Sequence, residues 1–251
     1  MKPAPVTAAK AVTAALEVNV RIIARFKKDD SVRFVSHLDV QRLFQRAFRR
    51  ADLPVAYSNG FNPHQQLSFA TALTVGATSS AEWLDIKMDK EIPADEFAER
   101  VNTALPKGFS IVEAHCAEDK YPSLSAVMAA ADYSVVLRFT DIVNGKDISN
   151  AIEKLLNDSI VVLKKTKSGM KNVDIRPMVY KMQLDIAKDC ECTLSLAGRL
   201  DAAGGLNADL LLSAFKDILE RDFTFSLHRE VIYSADGAFM PKAPEGYPIQ
   251  A

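Results

Sequence analysis

The order in which strand-like and helical periods follow one another constrains this chain more than any other feature. Apolar residues alternate or recur at helical spacing in the succession strand, helix, strand, strand, helix, strand, and the succession then repeats. In the first pass, residues 20–26, 67–73, 82–88 and 109–115 read as strands, and 37–52 and 94–105 as helices. In the second, residues 133–139, 160–164, 179–186 and 223–233 read as strands and 148–157 and 208–221 as helices, with an additional strand near 192–196. The two halves share this order without matching residue by residue.

Such a repeat predicts an α+β fold of two tandem ferredoxin-like (split βαβ) units, each an antiparallel sheet with two helices on one face. The expected boundaries are a loose tail over 1–19, a first unit over 20–117, a second over 132–233 and an irregular tail over 234–251. Pro122, two serines and a run of alanines interrupt the periodicity between the units, where residues 124–130 have room for a short connecting helix. In the last segment Gly237, Pro241, Pro244, Gly246 and Pro248 leave no regular element intact. With 251 residues, 48% of them hydrophobic and 25% charged, the chain can bury one large core or two small ones. No apolar run has the length of a membrane helix, and the Ala-rich opening with Lys2 and Lys10 lacks the compact apolar centre of a secretory signal. Three cysteines, Cys116, Cys190 and Cys192, in a chain too large to need staples favour a reducing, cytoplasmic setting.

The formal net charge is only -1, which removes the simplest argument for a general nucleic-acid binder. Its distribution is uneven, because residues 1–70 hold 11 Lys or Arg against 5 Asp or Glu. Much of that excess sits on the first helix, opened by Ser36-His37-Leu38-Asp39 in a capping-box-like arrangement. Val40, Leu43, Phe44, Ala47, Phe48 and Ala51 fall on one face, and Arg42, Arg46, Arg49 and Arg50 on the other. A charged stripe is also what an ordinary solvated helix presents, but four arginines without a lysine favour recognition of phosphate or carboxylate by planar forks. The following loop, Tyr57-Ser58-Asn59-Gly60-Phe61-Asn62-Pro63-His64, pairs a turn signal with two aromatics and a histidine. It suits base stacking, and equally a packed corner with Phe61 tucked inward. His37 and His64 are the only candidates for general acid–base chemistry at neutral pH, although a helix start disfavours a protonated His37. His115 and His228 sit in strand patterns.

Cys190-Glu191-Cys192 would put two thiols on one side of a strand, but no further ligand nearby completes a metal site. Neither a metal nor a cofactor is expected. A second basic segment spans 164–176, with Lys164, Lys165, Lys167, Lys171 and Arg176 around Ser168-Gly169. It reads as a hairpin tip, whose lysines also serve merely to protect a sheet edge. Asp174 and Arg176 would then share a strand face, with Pro177 ending the ladder.

Four segments, Arg33-Phe34-Val35-Ser36-His37-Leu38-Asp39, Ser58-Asn59-Gly60-Phe61-Asn62-Pro63-His64, Ser68-Phe69-Ala70 and Val173-Asp174-Ile175-Arg176-Pro177, together resemble the radical-SAM-linked protein family. The resemblance spans about residues 20–233. It implies a domain found beside, or fused to, a radical SAM protein with a cobalamin-binding region. It implies no substrate and no catalytic residue. The chain lacks a cluster-binding cysteine triad, so the resemblance implies an accessory to the radical SAM/cobalamin-binding protein. The leading expectation is a noncatalytic companion that positions a polyanionic substrate, with structured RNA the best fit. The candidate contacts are Arg33, His37, Arg42, Arg46, Arg49, Arg50, Tyr57, Ser58, Phe61, Asn62, His64, Lys167, Lys171, Asp174 and Arg176. The alternatives are an RNA-processing or RNA-modifying enzyme using His37 and His64, and a pure protein adapter.

Overall fold

The computed structural model describes residues 20–166 and 169–248, so the expected tail over 1–19 lies outside the described residues. Its first half runs β1 (Val20–Lys28), α1 (His37–Arg50), β2 (Leu67–Phe69), β3 (Thr78–Met88), α2 (Ala94–Ala104) and β4 (Phe109–Ala117). A single helical turn, α3 (Leu124–Val127), leads into β5 (Met128–Arg138), α4 (Gly145–Asn157), β6 (Val161–Thr166) and β7 (Gly169–Asp174). The chain ends with β8 (Val179–Lys188), β9 (Glu191–Asp201), β10 (Gly204–Gly205), α5 (Ala208–Leu219) and β11 (Thr224–Ser234).

Where two sheets were expected there is one, a mostly antiparallel sheet of nine strands in the order β10-β9-β5-β11-β3-β1-β4, with β2 also on β3 and β8 also on β9. The first half contributes β4-β1-β3-β2 and the second β11-β5-β9-β8. They join where β11 pairs parallel to β3, through His228↔Thr78 and Arg229↔Ser79. The sequence hid this join. Residues 78–81, Thr-Ser-Ser-Ala, carry little apolar alternation and fall outside the strand expected over 82–88, yet they extend β3 far enough to meet β11.

Side chains reinforce the short ladder. Arg229 donates from Nη1 to Glu82 Oε1 at 2.8 Å, and the two side chains are only 6% and 5% exposed. The same guanidinium lies 5.5 Å from the centroid of the Tyr133 ring. His228 shares hydrogen bonds with Thr78 Oγ1 (2.7 Å, Nδ1) and Ser80 Oγ (2.9 Å, Nε2).

Helices cover the sheet in pairs. Val40, Phe44 and Phe48 of α1, with Phe97 and Val101 of α2, cluster with Ile22, Phe26, Leu84 and Ile86. Ile148, Ile152 and Leu155 of α4, with Leu211, Leu212 and Phe215 of α5, cluster with Val135, Leu137, Leu194 and Leu196. The inserted element is not the strand containing Cys192, which is fully part of β9. It is the ribbon β6–β7, whose strands pair only with each other. The reason lies in alternation: Cys192, Leu194 and Leu196 are buried, whereas Val161, Leu163 and Met170 are exposed. Cys190 lies in the β8–β9 turn, so the two thiols do not share a strand face; Cys192 is buried and its thiol is pushed up to about 11 by that burial.

After β11, residues 235–248 form turns, anchored through one parallel bridge from Ser234 to Lys242 and a buried Met240. The phenols of Tyr233 and Tyr247 both donate to Asp132, at 2.8 and 2.9 Å. Burial, then the Asp132 carboxylate, pushes the Tyr233 phenol up to about 12, and Tyr247 moves the same way. A phenol that keeps its proton longer folded than unfolded stabilises the fold fully below pH ~10 and progressively less as pH rises through the folded value. The urea midpoint is therefore expected to fall between pH ~10 and ~12, more gently in Tyr233→Phe. Lys28, held low by burial, works in the opposite direction, so the difference in slope between the two proteins is the measurement.

Candidate functional site

Ser36 opens α1 where the sequence placed the start: its Oγ accepts from Asp39 N at 3.2 Å and donates to Asp39 Oδ2 at 2.7 Å. The Ser36 hydroxyl, and then Arg42 and Arg46, hold the Asp39 carboxyl below its ordinary range. With Val40, Phe44, Ala47 and Phe48 buried, Arg42, Arg46, Arg49 and Arg50 are all turned to solvent. Among the described residues only Arg42 of the four forms an ion pair, with Asp39 at 3.3 Å. Arg49 donates to Gln45 O at 3.3 Å. Arg50 reaches the C-terminal carbonyl of α2, Ala104 O, at 2.5 Å, and Arg100 of α2 returns the contact to Ala51 O at 2.7 Å. Each helix thus places a cation on the negative end of the other. Arg50 is therefore partly structural, while Arg46 and Arg49 present the least committed forks.

The 57–64 loop is fastened beside this helix. Gln65, itself buried, donates from Nε2 to Gln45 O at 3.3 Å and to Tyr57 Oη at 3.2 Å. Ser58 N bonds His64 O at 2.8 Å, and Ser58 Oγ is 2.8 Å from His64 Nδ1. Gly60 supplies the turn with a φ of +121°. Phe61 does not tuck inward: its ring is fully exposed, with Asn62 exposed beside it. His37 is turned elsewhere, with its ring edge-on to Phe69 at 5.4 Å. None of the hydrogen bonds or ring contacts of the described residues joins it to His64.

Among the described residues no hydrogen bond or ion pair joins the hairpin to α1 or to the 57–64 loop. The hairpin forms its own two-stranded ribbon, with Lys171 exposed opposite Lys164, and Lys167 lies outside the described residues. The strand ends at Asp174, so Asp174 and Arg176 do not share a strand face; Arg176 opens a 3-10 turn, Arg176–Met178. Asp174 Oδ1 accepts from Ile160 N and Arg176 N, both at 2.9 Å. Arg176 donates to Leu156 O at 2.6 Å and Val179 O at 2.9 Å. Both side chains are occupied at the base of the ribbon, Asp174 on its own backbone turn and Arg176 on the last turn of α4.

Arg33 points to a place the sequence did not reveal. It lines a trough of about 600 Å³ along the seam, with Thr78, Ser134, Arg138, Ser226 and His228. An adjoining groove of about 350 Å³ adds Phe34, Val75, Asp209 and Phe225. Arg33 pairs with Asp30 at 2.8 Å, and its guanidinium lies 4.7 Å from the centroid of the Phe34 ring. Arg138 and Phe225 come from strands in the second half, so no local spacing could have joined them to Arg33. Among the described residues no group of His, Cys, Asp or Glu is arranged to hold a metal ion.

No curated protein matches the chain significantly. Among solved structures, it is similar to a chain of an H/ACA RNP bound to a substrate RNA containing 2'-deoxyuridine, with 8% identity, 83% of this chain and 46% of that chain covered, and a TM-score of 0.47. A Cbf5-Nop10-Gar1 complex gives 8% identity, 83% and 47% coverage and a TM-score of 0.47. An archaeal box H/ACA sRNP Nop10-Cbf5 complex gives 8%, 83%, 46% and 0.44. The chain spans about half the length of these solved chains. A family model described as an uncharacterized protein conserved in bacteria matches residues 21–204, which is most of the chain, and the protein belongs to that family, DUF2344.

Proposed function

We propose that this protein is a noncatalytic accessory of a radical SAM enzyme, and that it recruits structured RNA on the outer face of α1. The observation that carries the RNA part is the pair Arg46 and Arg49, exposed and in no ion pair among the described residues, together with the fully exposed ring of Phe61 on the loop that Gln65 fastens to Gln45 of the same helix. Guanidinium groups meet phosphates in bidentate fashion, and an exposed aromatic offers a face to an unstacked base. Tyr57 and the Ser58–His64 pair shape the loop that presents Phe61. The radical SAM partner rests on the four-segment resemblance alone. A cytoplasmic setting is supported by three cysteines, all free thiols. We read the two halves as tandem split βαβ units, supported by their matching strand orders, β4-β1-β3-β2 and β11-β5-β9-β8.

The test is binding to unfractionated tRNA across a salt series. Affinity is expected to fall linearly on logarithmic axes, and Arg46→Glu with Arg49→Glu to weaken binding roughly tenfold or more at low salt. No binding at low salt would remove RNA from the proposal. A partner enzyme that co-purifies after nuclease treatment, and is lost on the same reversals, would identify the stripe as a protein-docking face instead.

A further inference from the structure

Building on the reading that α1 grips RNA, we propose that the seam trough receives an unpaired stretch of that RNA as it leaves the structured part. Phe34 and Phe225 are 70% and 38% exposed in the groove that adjoins the trough, large aromatic surfaces that water covers poorly. Single strands are held by this chemistry: bases on aromatic faces, phosphates against guanidinium groups. Arg33 and Arg138 supply the guanidinium groups. Their present partners do not hold them firmly, since Arg138 and Glu191 are 3.0 Å apart but about half exposed, and the Asp30 carboxylate paired with Arg33 is 80% exposed. Exposed ion pairs contribute little, so exchange of a carboxylate for a phosphate costs little. Ser134 in the lining offers a hydroxyl suited to a ribose oxygen.

Position supports a shared path. Arg33, in the lining of the trough, lies three residues before Ser36, the cap of α1, so the lining reaches the segment that leads into the helix bearing the stripe. A duplex lying along the stripe would send its single-stranded extension past that segment.

Fluorescence anisotropy with two RNAs tests this, one a stem-loop and the other the same stem-loop with a single-stranded extension of about six nucleotides on either end. For the unaltered protein the extension is expected to tighten binding about tenfold. The gain should vanish in the double variant Phe34→Ala, Phe225→Ala and persist in Phe225→Tyr, which keeps an aromatic face. Arg46→Glu should weaken both RNAs alike. Both phenylalanines are exposed, and circular dichroism verifies that the variants are folded. A stem-loop that binds while the extension adds nothing, or a gain that survives the alanine pair, overturns the trough assignment and leaves the stripe intact. Failure of both RNAs to bind overturns the reading of the stripe, and the trough proposal falls with it.

Discussion

Replacing Arg229 by alanine is expected to lower the unfolding free energy by about 3–5 kcal/mol, measured by urea denaturation at neutral pH. The change takes from Glu82, only 4% exposed, the guanidinium 2.8 Å from its Oε1 and leaves the buried Lys28 ammonium as the cation acting on it. A buried carboxylate deprived of its hydrogen-bonded partner is far costlier than the loss of a contact, because water cannot replace the missing partner. The residue also stands at the two-residue ladder joining β11 to β3, so the loss falls on the seam between the halves. Exchanging both members, Glu82→Leu with Arg229→Met, should restore most of the stability, since well-packed apolar pairs match or exceed buried ion pairs. If the single variant loses less than about 1 kcal/mol, the pair is solvated and the seam is held by other means.

A comparable loss, about 3–5 kcal/mol, is expected for Phe44→Ala, which empties the middle of the first core. Phe44 is completely buried, and its ring lies 4.8 Å from Phe26, 5.8 Å from Phe69, 5.9 Å from Phe48 and 6.1 Å from Phe109. Phe26 and Phe69 cannot move into the space without disturbing the edge-to-face contact they make with each other at 5.8 Å. Against a typical total of about 5–15 kcal/mol, the substitution uses a large share of the margin. Phe44→Leu should cost distinctly less, and a thermal melt comparing the two separates loss of volume from loss of the helix itself. A small effect for the alanine variant would mean that α1 is held chiefly by its caps and by the Arg50 and Arg100 contacts.

The interior-facing side of α1 was legible because Val40, Phe44, Ala47 and Phe48 recur at helical spacing behind a capping serine. The strand and helix order was legible for the same reason. What escaped the sequence is everything fixed by distant partners. β3 extends to Thr78 because β11 pairs with it, and nothing in Thr78-Ser79-Ser80 announces a strand. Residues 160–164, four apolar residues and a lysine, read as a sheet strand, yet β6 pairs only with the ribbon strand that follows. Arg176 reads as a binding arginine and is consumed by the carbonyls of Leu156 and Val179. Among the candidate contacts, Arg46 and Arg49 keep the exposure the sequence suggested and Phe61 takes the exposed one of its two alternatives, whereas Arg138 and Phe225 become neighbours of Arg33 only in three dimensions.

The parallel junction also sets a schedule for synthesis. Residues 20–117 hold every strand that β1 and β4 need as neighbours, so that half can close while the remainder is still being translated. Thr78 and Ser79, by contrast, wait for β11, which leaves the ribosome about a hundred residues after β4 is complete. The groove lined by Ser134 and Ser226 therefore exists only once the last strand has zipped into place, and a nascent polypeptide displays its α1 arginines well before it has that groove.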